Sequence, residues 1–309
     1  MRVLITGGAG YIGSTLTPYL LERGYEVTVY DSLLYDKTSL LECVGRSGFQ
    51  FVKGDVRDHT KLLKVMDKHD VIIHLAALVG FPLCDERPEE AKAVNFESSK
   101  VIAEHKYKDQ LLLYPCTNSG YGTTDGTTAV TEKDSMNPVS LYGITKVRAE
   151  SAIRQHENYC TMRLATVFGP STRMRTDLLV NSFVLKALRE KLLVLYECEF
   201  MRNYVHIWDV VRAFEFAIEN WDDCKNEVFN VGNDDINMNK LQLAQKIQEY
   251  IPLEIIKAEF TQDPDKRNYI VSSQKIYDKG FSCRFNLDVG IKQLIQAYSM
   301  IEEPWYGNY

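Results

Sequence analysis

Short apolar runs alternate with stretches of helical periodicity through the first half of the chain. The runs read VLIT, VTVYD, FQFVKGDV, VIIHLAA, LLLYPCT and TMRLATVFG. Helices are predicted after the first run as far as Gly24, and at residues 39–44, 60–66, 89–105 and 142–156. Strands and helices in alternation are typical of a parallel sheet with helices on both faces. The sequence therefore predicts an α/β fold with a doubly wound parallel sheet.

The regularity fades after Gly169. Helical patterns in TDLLVNSFVLKAL, VVRAFEFAIEN and NKLQLAQKIQEYI are separated by short strand-like runs, LLVLYE, RNYVHI and EVFNV. We interpret residues 170–309 as a smaller mixed α/β lobe that binds substrate, and residues 1–169 as the larger domain. Ligands of doubly wound sheets bind beyond the carboxyl ends of the strands, where this lobe is expected to close.

A glycine loop, GGAGYIG, connects the first strand to the first helix. Gly7 permits a tight turn, Gly10 lets the backbone approach a pyrophosphate, and Gly13 lets the helix pack closely. Free amide groups and the dipole at a helix N-terminus attract anions. The placement between strand and helix indicates a Rossmann dinucleotide site, with Tyr11 and Ile12 as further contacts.

Asp31 ends the second strand, at the position where a carboxylate accepts hydrogen bonds from the ribose hydroxyls of NAD. An acid there repels a 2′-phosphate, so NAD is expected rather than NADP. The alternative is that Asp31 only begins a loop. Further cofactor contacts are expected from the ends of the third and fourth strands, where small alanines leave room: Asp55, Val56, Leu75, Ala76 and Ala77.

Composition and net charge limit the classes of partner that the protein is expected to bind. A net charge of −6 argues against binding to nucleic acid or to an anionic membrane. No apolar run approaches the roughly 18 residues of a membrane span, and a buried strand at the N-terminus leaves no place for a signal peptide. The seven cysteines are scattered without a CxxC pair, which favours reduced thiols in the cytoplasm and predicts no metal site.

Tyr142 and Lys146 in SLYGITK form an i, i+4 pair on one helix face. A tyrosine phenol has an ordinary pKa near 10, which is too high for a base at neutral pH. A nearby ammonium group, together with a positive nicotinamide ring, favours the phenolate. The pair therefore predicts a tyrosine base that is assisted by a lysine.

These features together resemble the extended short-chain dehydrogenase/reductases that act on nucleotide sugars. The resemblance covers nearly the whole chain and includes the glycine loop, Asp31, the paired alanines, TNSGYG, YxxxK and FGP. It implies that Thr117, four residues before Tyr121, hydrogen-bonds the sugar oxygen; the alternative is an ordinary strand-end threonine. It also implies that Tyr142 takes a proton from the carbon 4 hydroxyl while NAD accepts hydride, and that Lys146 holds the nicotinamide ribose.

The residues after Thr117 separate branches of that family. 4,6-Dehydratases carry a pair containing acidic residues there, because removal of water needs an acid and a base. Asn118 and Ser119 supply neither. Epimerases of carbons 3 and 5 often have a cysteine at the position of Ser119. Oxidation at carbon 4 remains, and a 4-epimerase and a non-catalytic NAD sensor stay open as alternatives.

The resemblance also implies contacts to the substrate. Arg202 and Arg267 match arginines that bind the nucleotide diphosphate, and guanidinium groups suit phosphate oxygens. Arg173 and Arg175 add positive charge between the lobes, and Asn181 is expected to approach the base. Asn118 and Ser119 are also expected at the substrate.

Two residues near the fourth strand are expected to have mainly structural roles. Asn95 resembles a family asparagine near the cofactor, and we expect it to hold backbone. Cys84 could act as an acid towards the sugar, but buried packing is the favoured interpretation because most free cysteines are buried.

Within the family, TNSGYG, RMRTDLLVN, FMRNYVHI and DPDKRNYIVS are most similar to GDP-manno-heptose 4-dehydrogenases of capsule heptose synthesis. The resemblance implies a GDP-sugar substrate, a 4-keto product for surface polysaccharide synthesis, and a homodimer or higher homo-oligomer.

Overall fold

The structure, a computed structural model, describes residues 1–35, 38–258 and 267–301. Within these residues the centre is a seven-stranded sheet in which every neighbouring pair is parallel, with the order β3-β2-β1-β4-β5-β7-β11. The strands in chain order are β1 Arg2–Thr6, β2 Glu26–Asp31, β3 Phe49–Lys53, β4 Val71–His74, β5 Leu111–Thr117, β6 Ala129–Val130, β7 Tyr159–Leu164, β8 Thr166–Phe168, β9 Leu192–Tyr196, β10 Met201–His206, β11 Glu227–Val231, β12 Asn233–Asn239, β13 Glu254–Ala258 and β14 Ile270–Val271. The predicted doubly wound Rossmann sheet is confirmed.

Helices pack against both faces of this sheet, and others belong to the smaller second part of the chain. They are α1 Gly13–Glu22, α2 His59–Met66, α3 Phe81–Glu86, α4 Pro88–Lys92, α5 Ser98–His105, α6 Leu141–Ile153, α7 Leu179–Glu190, α8 Ile207–Glu219, α9 Trp221–Cys224, α10 Lys240–Gln248, α11 Gln274–Asp278 and α12 Leu287–Ser299. A π-helical turn, Ala93–Glu97, joins α4 to α5, and the 3-10 turns are Leu41–Cys43 and Asn118–Tyr121.

Alternation along each strand divides the core between the two faces. Val3 and Ile5 of β1 pack in one cluster with residues of α1 and α8, whereas Leu4 packs in another with residues of α2, α5 and α6. Successive side chains of a strand point to opposite faces, so an apolar run fills both. All three residues are fully buried. Burial of each such side chain contributes roughly 1.5–3 kcal/mol.

A second core lies between α7, α10 and α12, with β9 against it. A three-stranded sheet, β12-β10-β8, accompanies it, and β13 and β14 each form a parallel pair, with β9 and with β6. This is the smaller mixed α/β part expected after residue 169. Part of the predicted lobe, residues 259–266 and 302–309, lies outside the described residues.

Three predicted elements differ from the structure. The helix expected at residues 39–44 is only a 3-10 turn, in which Leu41 and Val44 are exposed and no apolar stripe forms. The run TMRLATVFG is two strands in different sheets, since β7 pairs with β5 and β8 pairs with β10. EVFNV, assigned to the second lobe, is β11 and pairs with β7 in the main sheet. The boundary at residue 169 therefore does not separate the two parts cleanly.

Candidate active site

A cavity of about 360 Å³ opens at the carboxyl ends of the central strands. Asp31 ends β2 and Thr117 ends β5, and both line this cavity. The two strands are three positions apart in the sheet, which corresponds to about 14 Å at the ordinary strand spacing. The cavity is therefore long enough to take an extended, two-part ligand.

The glycine loop is too tightly packed for side chains at two positions. A Cβ on Gly7, whose φ is +70°, would lie 2.6 Å from the backbone nitrogen of Ala76. A Cβ on Gly13 would lie 2.5 Å from the Cα of Gly8, so Gly13 is required by the loop itself. Helix α1 begins there without a side-chain cap at Ile12. This uncapped helix terminus borders the cavity and fits the phosphates of a dinucleotide.

The Asp31 carboxylate fixes the glycine loop as well as lining the cavity. It accepts hydrogen bonds from the backbone of Ala9 (2.9 Å) and of Leu33 (2.8 Å). Burial raises the pKa of this carboxyl, and the two backbone hydrogen bonds oppose the rise. Asp31 thus does support a loop, and it also presents oxygen to the cavity, as the binding of a ribose requires.

The other predicted cofactor residues surround the same space. The cavity is lined by the remaining loop residues and by the ends of the third and fourth strands: Gly10, Tyr11, Ile12, Asp55, Val56, Leu75, Ala76 and Ala77. The Asp55 carboxylate accepts hydrogen bonds from the Arg57 side chain, which lower its pKa. The alanines follow β4, which ends at His74, and do not belong to the strand as predicted.

Asn95 and Cys84 act on the backbone beneath the cavity. The Asn95 amide accepts from the backbone nitrogen of Leu78 (2.8 Å) and donates to its carbonyl (2.9 Å). The Cys84 thiol donates to the same carbonyl at 3.3 Å and is fully buried in the core. Burial raises the pKa of Cys84 to about 11, so packing rather than acid chemistry fits this thiol.

The predicted catalytic residues meet in the cavity. Tyr142 and Lys146 lie on α6, which Ser140 caps by accepting from the backbone of Gly143 at 3.2 Å. The Thr117 hydroxyl accepts from the backbone nitrogen of Ser119 at 3.1 Å and donates to its hydroxyl at 3.0 Å. Thr117, Tyr142 and Lys146 all line the cavity. They form the set that a proton transfer from a sugar hydroxyl requires.

The charges around Tyr142 differ from the prediction. Burial raises the pKa of Tyr142 well above its ordinary value, and the cations that oppose this are Arg175 and Arg267. Burial lowers the pKa of Lys146 to about 8, and its Nζ lies 3.9 Å from the centre of the Tyr114 ring. Assistance was expected from Lys146 and a nicotinamide ring, whereas the cations that lower the pKa of Tyr142 in the structure are two arginines from the second part of the chain.

Arg175 and Arg267 are the substrate-side arginines that line the cavity near Tyr142. Arg267 donates to the Ser119 hydroxyl, which places Ser119 there too. Arg175 pairs with Asp177, with Nε 2.7 Å from Oδ1. These guanidinium groups can hold phosphate oxygens of a substrate beside the tyrosine.

Three predicted substrate residues lie elsewhere. The Asn181 amide is fully buried and holds backbone, accepting from Gly169 (3.0 Å) and donating to the Arg175 carbonyl (2.9 Å), so it does not approach a base. Arg202 is buried with its guanidinium 5.7 Å from the ring of Tyr269, which itself lines the cavity. The buried Asn118 amide has no hydrogen-bond partner among the described residues.

Arg173 lies at the other end from the one predicted. Its backbone nitrogen donates to the Ser14 hydroxyl at 3.2 Å, and its guanidinium is 4.7 Å from the centre of the Tyr35 ring. Arg173 also opposes the rise in the Asp31 pKa. It therefore belongs with the glycine loop and Asp31 and not with Tyr142.

Two tyrosines that were not predicted from the sequence, Tyr35 and Tyr269, also line the cavity. Tyr35 lies in a loop without hydrophobic periodicity, so no local signal marks it. Tyr269 follows Arg267 closely in RNYIV, and that proximity could have identified it.

Two kinds of feature are absent from the described residues. No cluster of three or more His, Cys, Asp or Glu side chains there could hold a metal ion. Among the helices of residues 1–35, 38–258 and 267–301, none has the length and apolar character needed to cross a membrane.

Known proteins match this chain along most of its length. A UDP-N-acetyl-alpha-D-glucosaminuronate decarboxylase of Bacillus cytotoxicus is 26% identical, over 97% of this chain and 98% of that protein. A UDP-glucose 4-epimerase of Thermotoga maritima, solved with UDP-glucose, is 26% identical with a TM-score of 0.81, over 98% of this chain and all of that one. A dTDP-glucose 4,6-dehydratase of Streptomyces venezuelae, solved with NAD, shares the fold with a TM-score of 0.85 at 22% identity, over 97% of both chains.

The model of the NAD dependent epimerase/dehydratase family matches residues 3–232, which include the glycine loop, the catalytic set and β11. The relatives carry out different reactions, so their names do not select one for this chain. What they share is the family, and this chain belongs to the NAD-dependent epimerase/dehydratase family.

Proposed function

We propose that the protein oxidises carbon 4 of a nucleotide sugar in an NAD-dependent reaction. The observation that carries this proposal is that one cavity combines the glycine loop and Asp31 with Thr117, Tyr142 and Lys146. The first group suits a dinucleotide, and the second suits removal of a proton from a hydroxyl group.

The residues divide the chemistry as follows. The glycine loop and Asp31 would hold NAD, with Lys146 at its nicotinamide ribose, and the bound cofactor would accept hydride from carbon 4. Tyr142 takes the proton of the carbon 4 hydroxyl, and the Thr117 hydroxyl hydrogen-bonds the same oxygen. Arg175 and Arg267 oppose the rise in the Tyr142 pKa and so favour the phenolate that this step needs.

The substrate proposed is a nucleoside diphosphate sugar. Arg175 and Arg267 lie near Tyr142 and can bind a diphosphate. Residues 170–301 contribute these two arginines and Tyr269 to the cavity, which supports a substrate-binding role for the second lobe. The motifs favour GDP-manno-heptose, whereas the relatives reported above are named for UDP- or dTDP-sugars. The nucleotide base of the substrate is therefore the first property to test.

A 4-epimerase is the second candidate, favoured by the likeness to the Thermotoga maritima UDP-glucose 4-epimerase. Oxidation at carbon 4 uses the same residues in both reactions, and an epimerase returns the hydride to the other face of the sugar. A non-catalytic NAD sensor is disfavoured because Thr117, Tyr142 and Lys146 are all present and line one cavity.

One experiment separates these functions. The purified enzyme is incubated with NAD and, in turn, with GDP-manno-heptose, GDP-mannose, UDP-glucose, UDP-glucuronic acid and dTDP-glucose. NADH absorbance and product NMR are followed, with Tyr142→Phe as the control. A 4-keto product with NADH supports the dehydrogenase, and an inverted sugar without net reduction supports the epimerase. NAD binding without turnover of any sugar would support the sensor.

A further inference from the structure

A short segment of the second lobe is fastened to the start of helix α1. We call residues 169–175 the strap. The Ser171 hydroxyl lies 2.8 Å from the Ser14 hydroxyl and donates to the Tyr11 carbonyl at 2.8 Å. The Tyr11 hydroxyl donates to the Gly169 carbonyl at 2.7 Å. The strap therefore crosses the glycine loop where a dinucleotide diphosphate is expected.

Hydrogen bonds also hold the strap at Arg173 and at Arg175, so it is ordered along its length. The Ser14 hydroxyl accepts from the Arg173 backbone nitrogen at 3.2 Å, so Arg173 begins beside the second residue of α1. Further along, the Arg175 carbonyl accepts from the Asn181 amide at 2.9 Å. Both ends of the strap are thus held by buried hydrogen bonds. The backbone positions of Arg173 and Arg175 are therefore fixed.

The two arginines of the strap serve different ends of the cavity. Arg173 is almost fully buried, lines the cavity, and lies over the Tyr35 ring, while its guanidinium also donates to the Met174 carbonyl at 2.7 Å. Arg175 is paired with Asp177 and acts on Tyr142. The Tyr35 hydroxyl is buried and, among the described residues, has no hydrogen-bond partner. A buried guanidinium over a tyrosine ring with a buried hydroxyl, on a strap whose backbone is held to the uncapped start of α1, suits phosphate oxygens.

We propose that Arg173 and Tyr35 bind the diphosphate of the dinucleotide, so that the strap contributes a cofactor-binding arginine from the substrate lobe. This inference rests on the proposed NAD-dependent function. It reassigns Arg173 from the substrate to the cofactor and leaves Arg175 with the substrate. The strap then links the two ligands, because one segment holds the diphosphate of each.

Calorimetric titration of the protein tests the proposal with ADP, NAD and adenosine as probes. Arg173→Met should raise the Kd for ADP and for NAD at least tenfold and leave the Kd for adenosine within about twofold, because adenosine has no phosphate. Arg173→Lys should show an intermediate loss, since lysine keeps the charge without the planar fork. Tyr35→Phe should raise the same two Kd values by a smaller factor.

Arg175→Met is the matched comparison, and it should leave the Kd for ADP unchanged. Unchanged ADP and NAD affinity in Arg173→Met would overturn the proposal, as would an equal loss for adenosine. Failure of the unsubstituted protein to bind NAD would instead overturn the proposed function. Circular dichroism and Tm establish that each variant is folded. Should Arg173→Met fail to fold, the affinities of Arg173→Lys decide: a Kd for ADP and NAD unchanged from the unsubstituted protein, or an equal loss for adenosine, would overturn the proposal.

Discussion

Arg163 of β7 and Glu150 of α6 form a buried ion pair that joins helix α6 to the sheet. The Arg163 Nη2 lies 2.7 Å from Glu150 Oε1, and Nε lies 3.1 Å from Oε2. Arg163 also donates to the Tyr121 hydroxyl at 2.9 Å, in the turn that follows Thr117. The pair thus connects the helix of Tyr142 and Lys146 to the turn after Thr117.

Glu150→Gln should lower the free energy of unfolding by about 3–5 kcal/mol, because it leaves the Arg163 charge buried without its counter-ion. Chemical denaturation measures the change. Asp222→Asn is the control, since Asp222 and Lys225 form an exposed pair, and exposed pairs contribute little to stability. Equal effects of the two substitutions would contradict a structural role for the buried pair.

Thr117→Val should lower kcat with the preferred nucleotide sugar by about 10²- to 10⁴-fold, and so should Tyr142→Phe, because each removes a group that contacts the reacting oxygen. Thr117→Ser keeps the hydroxyl and should retain most of the activity. Single-turnover NADH formation gives the rates, and calorimetry gives the NAD affinity, which Thr117→Val should not change. Full activity in Thr117→Val would show that Thr117 is an ordinary strand-end residue without a role in the reaction.

The pH dependence of kcat/KM follows from two pKa shifts. Burial raises the pKa of Tyr142 and lowers that of Lys146 to about 8. In the proposed reaction, the reactive form carries an ionised Tyr142 and a charged Lys146. Below the Lys146 pKa this form increases with pH, because the phenolate increases while the lysine stays charged. Above it, the gain in phenolate offsets the loss of ammonium, so the profile levels off near pH 8.

Lys146→Arg tests this assignment, because arginine stays charged throughout the accessible range. At saturating NAD, the kcat/KM of this variant should continue to rise with pH beyond the point where the unsubstituted enzyme levels off. An unchanged plateau would show that another group sets the profile.

Gly7→Ala should abolish measurable NAD binding and lower the free energy of unfolding by more than the roughly 1–2 kcal/mol that a left-handed residue costs. The added Cβ would lie 2.6 Å from the Ala76 nitrogen, and backbone cannot move aside cheaply. Gly280→Ala is a matched control, because its φ of +101° is also positive and nothing lies within 4 Å of the added Cβ. Calorimetry with NAD and chemical denaturation compare the two, and equal losses would show that backbone conformation alone is responsible.

Asp31→Asn should reduce the preference for NAD over NADP, expressed as a ratio of kcat/KM, by about tenfold or more, because it removes the charge that repels a 2′-phosphate. The asparagine oxygen can still accept from Ala9 or Leu33, so the loop should persist. Asp55→Asn is the comparison, since Arg57 already holds that carboxylate. A ratio unchanged by Asp31→Asn would leave Asp31 with its loop-supporting role alone.

Local patterns predicted the central sheet well, because strands buried on both faces give continuous apolar runs and the helices between them are periodic. The break at Ala165 could not be predicted, since residues on both sides are apolar or β-branched and only the distant β10 distinguishes the two strands. The placement of β11 failed for the same reason: its sequence predicts a strand and says nothing of its partner.

The site shows a similar limit. Thr117, Tyr142 and Lys146 could be identified because motif spacing places them on a strand end and one helix face. Arg173 and Arg175 have the same side chain two positions apart, and only the hydrogen bonds of the strap to Ser14 and Asn181 separate their roles. Asn181 resembled a ligand contact in sequence, and its buried amide instead fixes a turn of backbone.

The return of β11 to the edge of the main sheet makes the two lobes inseparable as fragments. A chain cut after residue 169 would lose the strand that covers β7, exposing unpaired backbone groups along an apolar edge. Such a fragment is expected to aggregate, and the rest of the chain would contain β11 without the sheet to which it belongs. Synthesis must therefore proceed past Val231 before the nucleotide-binding half can complete its own framework, so folding of the first half awaits the second.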